Sequence, residues 1–89
     1  MFRIKGDNDK FDSIEEFVDN LSRGGEIQFL FNKKKYSITH FERRIHVLEA
    51  YNYDSEKIYD KPEDVLEYII DGHRLGDIVT EIQPFFRCF

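Results

Sequence analysis

The sequence of 89 residues predicts a single α+β domain, residues 1–89, in which helices cover one antiparallel sheet. Apolar residues recur at helical spacing near the start of the chain, alternate in its middle, and return to helical spacing after residue 62. The length is that of one domain, because domains usually hold about 100–150 residues. The predicted order of elements is α-β-β-β-α-α.

The first helix is predicted over residues 11–21. Ser13 and Glu16 match a capping box, in which each side chain accepts a hydrogen bond from a free backbone N–H of the first turn. Gly24 and Gly25 then predict a left-handed stop. One apolar stripe at positions i, i+3, i+4 and i+7 would face the sheet: Ile14, Phe17, Val18 and Leu21.

Three strands follow, over residues 26–31, 34–39 and 44–51, as a three-stranded antiparallel meander. Asn32 and Lys33 fit a two-residue hairpin turn, because Asn tolerates a positive φ. A short polar link is expected between the second and third strands. Such a meander needs a cover on its apolar face.

Two further helices are the predicted cover. Residues 52–56 are expected to form a loop and 57–59 a short extended piece. Pro62 suits the first turn of a helix that should reach Ile70 and end at Asp71 and Gly72. A last helix is predicted over 75–82, before Pro84. Residues 1–5 are a candidate for an extra, frayed strand.

Charge is segregated along the chain, and this division says more than the net charge of −5. Residues 7–21 carry −5, residues 28–48 carry +4, and residues 49–72 carry −6. The pattern predicts a binding surface of two signs. An overall negative charge argues against direct binding of nucleic acid, which requires a basic face.

Carboxylates in the second acidic stretch are the first candidate binding site. An array of them on a rigid domain could imitate the phosphates of a duplex and dock in a basic groove. The alternative is a solvated helix face. The candidate residues are Asp54, Glu56, Asp60, Glu63, Asp64 and Glu67.

Basic residues are expected to cluster at the loop ends of the meander, near Tyr36 and Phe41. They would contact an acidic patch or a nucleic acid bound to the partner. The alternative is a solvated hairpin tip whose charges discourage edge pairing. These candidates are Lys33, Lys34, Lys35, Arg43 and Arg44.

The last six residues hold three phenylalanines, Phe85, Phe86 and Phe89. We expect this tail to fold back on the core, with a dimer or partner contact as the alternative. Cys88 is expected to be an unremarkable thiol in a frayed end.

No motif for chemistry is found in the sequence. A single cysteine excludes a disulfide framework and a multi-cysteine zinc site. His40 and His46 could approach each other across the meander, but no further metal ligands accompany them. No phosphate-binding glycine loop occurs. We therefore expect no enzyme activity, no cofactor and no metal; a weak enzyme is the least favoured alternative.

The N-terminal residues predict no signal peptide, and the apolar runs are far too short to span a membrane. Together with the lone thiol, this predicts a cytoplasmic protein.

Three stretches carry a resemblance to known proteins. They are residues 11–21, the run Gly-Gly-Glu-Ile-Gln-Phe-x-Phe-Asn-x-Lys-x-Tyr-Ser-Ile at 24–38, and Asp-x-Pro-x-Asp-Val-Leu…Ile-Asp-Gly-x-x-Leu-x-Asp-Ile at 60–78. They are similar to small proteins of low-GC Gram-positive bacteria and their phages. In size, charge and style the chain resembles anti-CRISPR inhibitors, which bind a Cas effector and block its nucleic-acid site.

The resemblance implies a non-catalytic inhibitor of a bacterial nucleic-acid-handling complex, acting in the cytoplasm of a bacterial host. Its partner would be a protein, a Cas effector or another nucleoprotein. The +4 central segment departs from a pure DNA mimic. The alternative is a housekeeping, immunity or antitoxin-type small protein that forms a homodimer through its phenylalanine tail.

Overall fold

A five-stranded antiparallel sheet with helices on one face forms the fold, which a computed structural model describes over residues 10–88. The predicted α+β class is confirmed, whereas the predicted order of elements is only partly right. In chain order the elements are helix α1 (Ile14–Ser22), strands β1 (Glu26–Phe31), β2 (Lys34–Phe41), β3 (Arg44–Glu49) and β4 (Asn52–Tyr59), a 3₁₀ helix (Pro62–Glu67), strands β5 (Ile69–Ile70) and β6 (His73–Arg74), helix α2 (Leu75–Ile78) and strand β7 (Gln83–Cys88).

The large sheet has the strand order β4-β3-β2-β1-β7, and β5 pairs with β6 in a separate hairpin. Four consecutive strands therefore form the meander, one more than predicted, and a fifth strand from the end of the chain lies beside β1. The predicted extra strand at residues 1–5 lies outside the described residues, as does Phe89.

Helix α1 begins and ends much as its sequence predicts. The Ser13 hydroxyl accepts a hydrogen bond from the Glu16 N–H at 3.1 Å, and the Glu16 carboxylate accepts one from the Asp12 N–H at 2.8 Å. The reciprocal contact thus reaches one residue before the N-cap. Gly24 has φ +80°, in the left-handed region that ends helices at low cost only for glycine.

Two tight turns set the length of β2. Asn32 and Lys33 have φ 52° and 66°, and Glu42 and Arg43 have the same values. Positive φ at both central residues matches the right-handed twist of the flanking strands. The expected polar link is therefore a second two-residue turn, and β2 runs on to Phe41 while β3 ends at Glu49.

Residues 52–59 form strand β4, so the loop expected over 52–56 is wrong, whereas the extended piece expected over 57–59 is part of this strand. Tyr59 pairs with Ile45 and Lys57 with Val47. The sequence pattern does not indicate this strand, because none of its side chains is buried. Without a buried row, the alternation that identifies a strand does not appear.

The two predicted covering helices are shorter than expected. The first is a 3₁₀ helix that ends at Glu67, because Tyr68 is extended with ψ 134°. Ile69–Ile70 then pairs with His73–Arg74 through a turn at Asp71 and Gly72. The last helix stops at Ile78 instead of residue 82. The apolar spacing reflects burial of these residues in a compact irregular layer rather than a continuous helix.

The phenylalanine tail returns to the domain as β7, which pairs with β1. Gln28 opposes Phe86 and Phe29 opposes Pro84, so Phe85 is an extra residue in a β-bulge. Cys88 opposes Glu26 within this strand rather than lying in a frayed end. The tail is thus a strand of the sheet.

The core lies between the sheet and its helical cover, and it is apolar except for Asn20. It contains Phe11, Phe17, Leu21, Ile27, Phe29, Tyr36, Ile38, Ile45, Val47, Val65, Tyr68, Ile70, Leu75, Ile78, Val79 and Ile82. No helix in the described part of the chain has the length and hydropathy to cross a membrane.

The other side of the sheet has no buried residue within the described structure, and we call it the open face. Strand register assigns its members by alternation from the core residues. They are Glu26, Gln28, Leu30, Lys35, Ser37, Thr39, Phe41, Arg44, His46, Leu48, Glu56 and Ile58.

Candidate functional site

The six candidate carboxylates lie along one border of the molecule, where β4 ends the sheet and the 3₁₀ helix packs against β3 and β4. All six are exposed. Two belong to β4, one follows it, and three belong to the 3₁₀ helix. We call this set, Asp54, Glu56, Asp60, Glu63, Asp64 and Glu67, the acidic edge.

Three members of the acidic edge form ion pairs within the chain. Asp60 accepts from Arg44 Nε at 2.9 Å, Glu56 lies 3.1 Å from His46 Nδ1, and Glu67 accepts from Arg74 Nη2 at 2.6 Å. The two arginine–carboxylate pairs are largely exposed and therefore weak, whereas the His46 side chain that contacts Glu56 is only 17% exposed. A partner can therefore replace the two arginines at small cost.

The other three carboxylates have no cation within 4 Å among residues 10–88. The free carboxylates are Asp54, Glu63 and Asp64. Burial raises the pKa of the nearby Tyr59 most, Tyr68 raises it next, and the charges of the paired Glu67 and the free Asp64 raise it further. The acidic edge thus presents unneutralised charge on strand β4 and on the 3₁₀ helix.

The basic candidates do not form one ridge. Lys33, Lys34 and Lys35 lie at the turn between β1 and β2, whereas Arg43 and Arg44 lie at the turn between β2 and β3. These turns are at opposite ends of β2, roughly 20 Å apart at the usual rise per residue. A single contact with a small acidic patch cannot include both groups.

Most of the basic candidates already have partners in the chain. Lys34 donates to Asp71 at 3.1 Å, and Arg44 pairs with Asp60. Lys35 Nζ lies 6.0 Å from the centre of the Phe85 ring. Lys33 and Arg43, at the tips of the two turns, make no ion pair with residues 10–88 and are the cations most available to a partner.

Asp71 connects two turns. Hydrogen bonds from Asn32 and then Lys34 hold the pKa of the Asp71 carboxyl below its usual value, and the same Asp71 contact raises the pKa of Lys34. Lys34 is therefore a structural cation, since it holds the first hairpin turn against the turn between β5 and β6.

The two histidines, which could have met across the meander, do not approach each other. His46 pairs with Thr39 and His40 with Ile45, so the rings point to opposite faces of the sheet. His40 Nε2 donates to the Gly25 carbonyl at 3.1 Å. Among residues 10–88 no three potential metal ligands lie together.

A groove of about 280 Å³ lies between β4 and the segment after the 3₁₀ helix, and we call it the β4 groove. Tyr59, Tyr68 and Ile69 provide its apolar surface, while Asp54, Lys57 and Glu67 bring charges to it. The groove could not be found from the sequence because β4 was not predicted. The acids were found by their charge, whereas the tyrosines had no recognisable pattern.

A second groove, of about 260 Å³, adjoins the open face beside Phe85. Gln28, Lys35, Ser37 and Tyr51 are among its lining residues, and Tyr51 is 95% exposed. Phe85 and Phe86 are half-buried. The tail therefore adds aromatic surface outside the core, which is where a contact with another molecule would need it.

No family model, curated protein or solved structure matches this chain. Its function must therefore be inferred from the geometry and charge of its surfaces.

Proposed function

We propose that this chain is a non-catalytic binding protein that docks its acidic edge on a basic surface of a bacterial nucleic-acid-handling complex. It would act in the cytoplasm of the host cell, as an inhibitor of the anti-CRISPR kind carried by a phage or another mobile element. The observation that supports this proposal is the set of six exposed carboxylates along a single border of the fold.

Electrostatics favour such docking in two ways. Free carboxylates at Asp54, Glu63 and Asp64 attract a basic groove before contact, which raises the association rate and orients the encounter. The paired carboxylates can then exchange their internal cations for those of the partner, since exposed ion pairs are weak. Occupation of the groove would exclude the nucleic acid that normally binds there.

Lys33 and Arg43 have a secondary role in this proposal. They lie at turn tips on opposite ends of β2, without ion pairs to residues 10–88. Each can reach an acidic patch or a nucleic acid that borders the partner's groove. This role would account for two of the five cations in the basic central segment.

The test is reversal of four carboxylates together, Glu56→Lys, Asp60→Lys, Glu63→Lys and Asp64→Lys. Purified Cas effectors from Gram-positive bacteria would be assayed for DNA cleavage with the wild-type chain and with the reversed chain. We expect the wild type to inhibit a susceptible effector and the reversed chain to lose that inhibition.

A matched control reverses four exposed acids outside the acidic edge, Asp12, Glu42, Asp77 and Glu81. It changes net charge by the same amount, so it should keep the inhibition if position matters. Circular dichroism would verify that both variants fold. Unchanged inhibition by a folded, reversed acidic edge would refute the proposal.

A second candidate function is a homodimeric protein of the housekeeping or immunity type, and the open face favours it. Phe41 and Ile58 are 62% and 46% exposed on that face. Exposed apolar residues near one another often mark an association surface. Removal of the tail would be a poor test, because β7 is part of the sheet; point substitutions on the open face are preferable.

A further inference from the structure

We propose that the β4 groove receives an arginine side chain from an extended basic segment of the partner. This inference rests on the proposed function and specifies which part of the acidic edge recognises an arginine of the partner. It derives from the size of the groove, its apolar walls and the position of one free carboxylate at its margin.

The size of the β4 groove fits one long side chain. Its volume of about 280 Å³ lies at the lower limit of the range of about 300–1,000 Å³ typical of sites for small organic ligands. The groove also runs beside an edge strand, where an extended segment can lie alongside β4. A side chain that enters from such a segment would reach the walls without any movement of the sheet.

The walls suit the methylene stem and the planar head of arginine. Half-buried Tyr59 and Ile69, which is 58% exposed in the free chain, supply the accessible aromatic and apolar surface, while Tyr68 is only 5% exposed and forms the floor of the groove. Arginine buries its stem against such surface and its guanidinium stacks on aromatic rings. Burial of Ile69 under the incoming stem would remove exposed apolar area from water.

Asp54 is the group that would bind the guanidinium. It lines the groove and has no cation within 4 Å among residues 10–88. Glu67 lines the groove too, but both of its oxygens accept from Arg74, at 3.1 and 2.6 Å. A free carboxylate can accept two parallel hydrogen bonds from a guanidinium, a geometry that lysine cannot supply.

Lys57 opposes this binding. Its side chain lines the same groove and carries the same sign of charge as the proposed guest. Removal of this charge should therefore strengthen the binding of an arginine.

The probe is a fluorescently labelled hexa-arginine peptide, compared with hexa-lysine, with dissociation constants measured by anisotropy at about 0.15 M ionic strength. Asp54→Asn should weaken hexa-arginine binding by about fivefold, the upper range for an exposed ion pair. Glu63→Gln is the matched control, because Glu63 belongs to the acidic edge but does not line the groove. It should change binding less than twofold.

Lys57→Gln should strengthen hexa-arginine binding, and hexa-lysine should bind the wild type more weakly than hexa-arginine does. Equal losses in Asp54→Asn and Glu63→Gln, or equal binding of both peptides, would overturn the groove inference. The wider proposal would then still stand if reversal of the acidic edge abolished inhibition. If the reversed acidic edge kept its inhibition but the peptide results were as expected, the proposed function would be refuted and the arginine site in the β4 groove would be supported.

Discussion

The hydroxyl of Tyr68 donates a hydrogen bond to the backbone carbonyl of Ser55 at 2.9 Å. This contact attaches the segment after the 3₁₀ helix to the edge strand β4. Ser55 lies where β4 leaves its register with β3: the five-residue step from Asn52 to Lys57 faces a two-residue step from Glu49 to Val47. The Ser55 hydroxyl also accepts from the Glu49 N–H at 2.8 Å, so the irregular part of β4 is held from two sides.

Tyr68→Phe should lower the free energy of unfolding by about 1 kcal/mol, because the Ser55 carbonyl loses its donor while the ring remains in place. The control is Tyr59→Phe, since the Tyr59 hydroxyl makes no hydrogen bond with residues 10–88. Urea denaturation would measure both. Equal losses in the two variants would contradict the role given to the Tyr68 hydroxyl.

Asn20→Leu should raise the free energy of unfolding by roughly 1–2 kcal/mol. Asn20 is fully buried in α1, and neither its amide nitrogen nor its amide oxygen has a hydrogen-bond partner among the described residues. Leucine removes both unpaired polar atoms and also favours helix. A shift of the urea midpoint to higher concentration, with unchanged slope, would show this.

Asn20→Asp is the companion variant. It places a charge where no cation of residues 10–88 pairs with it, so it should destabilise the fold by several kcal/mol. If Asn20→Leu were instead clearly destabilising, the amide would have to make a contact that the described structure lacks.

The lowered pKa of Asp71 predicts that the fold loses stability in acid. Hydrogen bonds from Asn32 and Lys34 hold its folded pKa below the usual 3.8, so the folded state binds the proton less readily than the unfolded state. Its contribution is fully present above the unfolded pKa and is lost as the pH falls through the lowered folded value. Asp71→Asn should therefore show a smaller loss of stability between about pH 5 and about pH 2 than the wild type.

Urea midpoints measured across this pH range would test the Asp71 prediction. Lys34→Met removes one of the two donors and should reduce the acid sensitivity only in part. Identical pH profiles for the wild type and Asp71→Asn would show that this link between the two turns does not contribute.

Substitutions on the open face would distinguish a monomer from a homodimer. If the chain dimerises there, Phe41→Ser combined with Ile58→Thr should halve the molar mass measured by light scattering. Both residues are exposed in the single chain, so the double variant should keep a free energy of unfolding within about 0.5 kcal/mol per substitution. A wild type that is already monomeric at high concentration would remove the dimer from consideration.

Local signals predicted the parts of the fold that local interactions determine. Ser13, Glu16 and Gly24 mark the ends of α1, and Asn32 marks the first turn, because each position acts through its own backbone neighbours. Strand β4 carried no such signal. Its exposed residues pair with β3 by backbone contacts that any side chain permits.

The candidate site shows the same division. Carboxylates of the acidic edge could be identified from the density of charge alone. Tyr59 and Tyr68 could not, because their groove exists only once β4 is placed beside the segment that follows the 3₁₀ helix. The basic candidates looked like one cluster in sequence and were separated by the two tight turns of the meander.

The position of β7 beside β1 has a kinetic consequence. Hairpins between neighbouring strands close short loops, whereas the pairing of Pro84 with Phe29 joins residues that are far apart in the sequence. We expect contacts of Tyr36 with Phe29 to be formed in the folding transition state and those of Pro84 to form after it. Substitution of Pro84 should then mainly accelerate unfolding, whereas Tyr36→Leu should slow folding, in stopped-flow measurements of both rates.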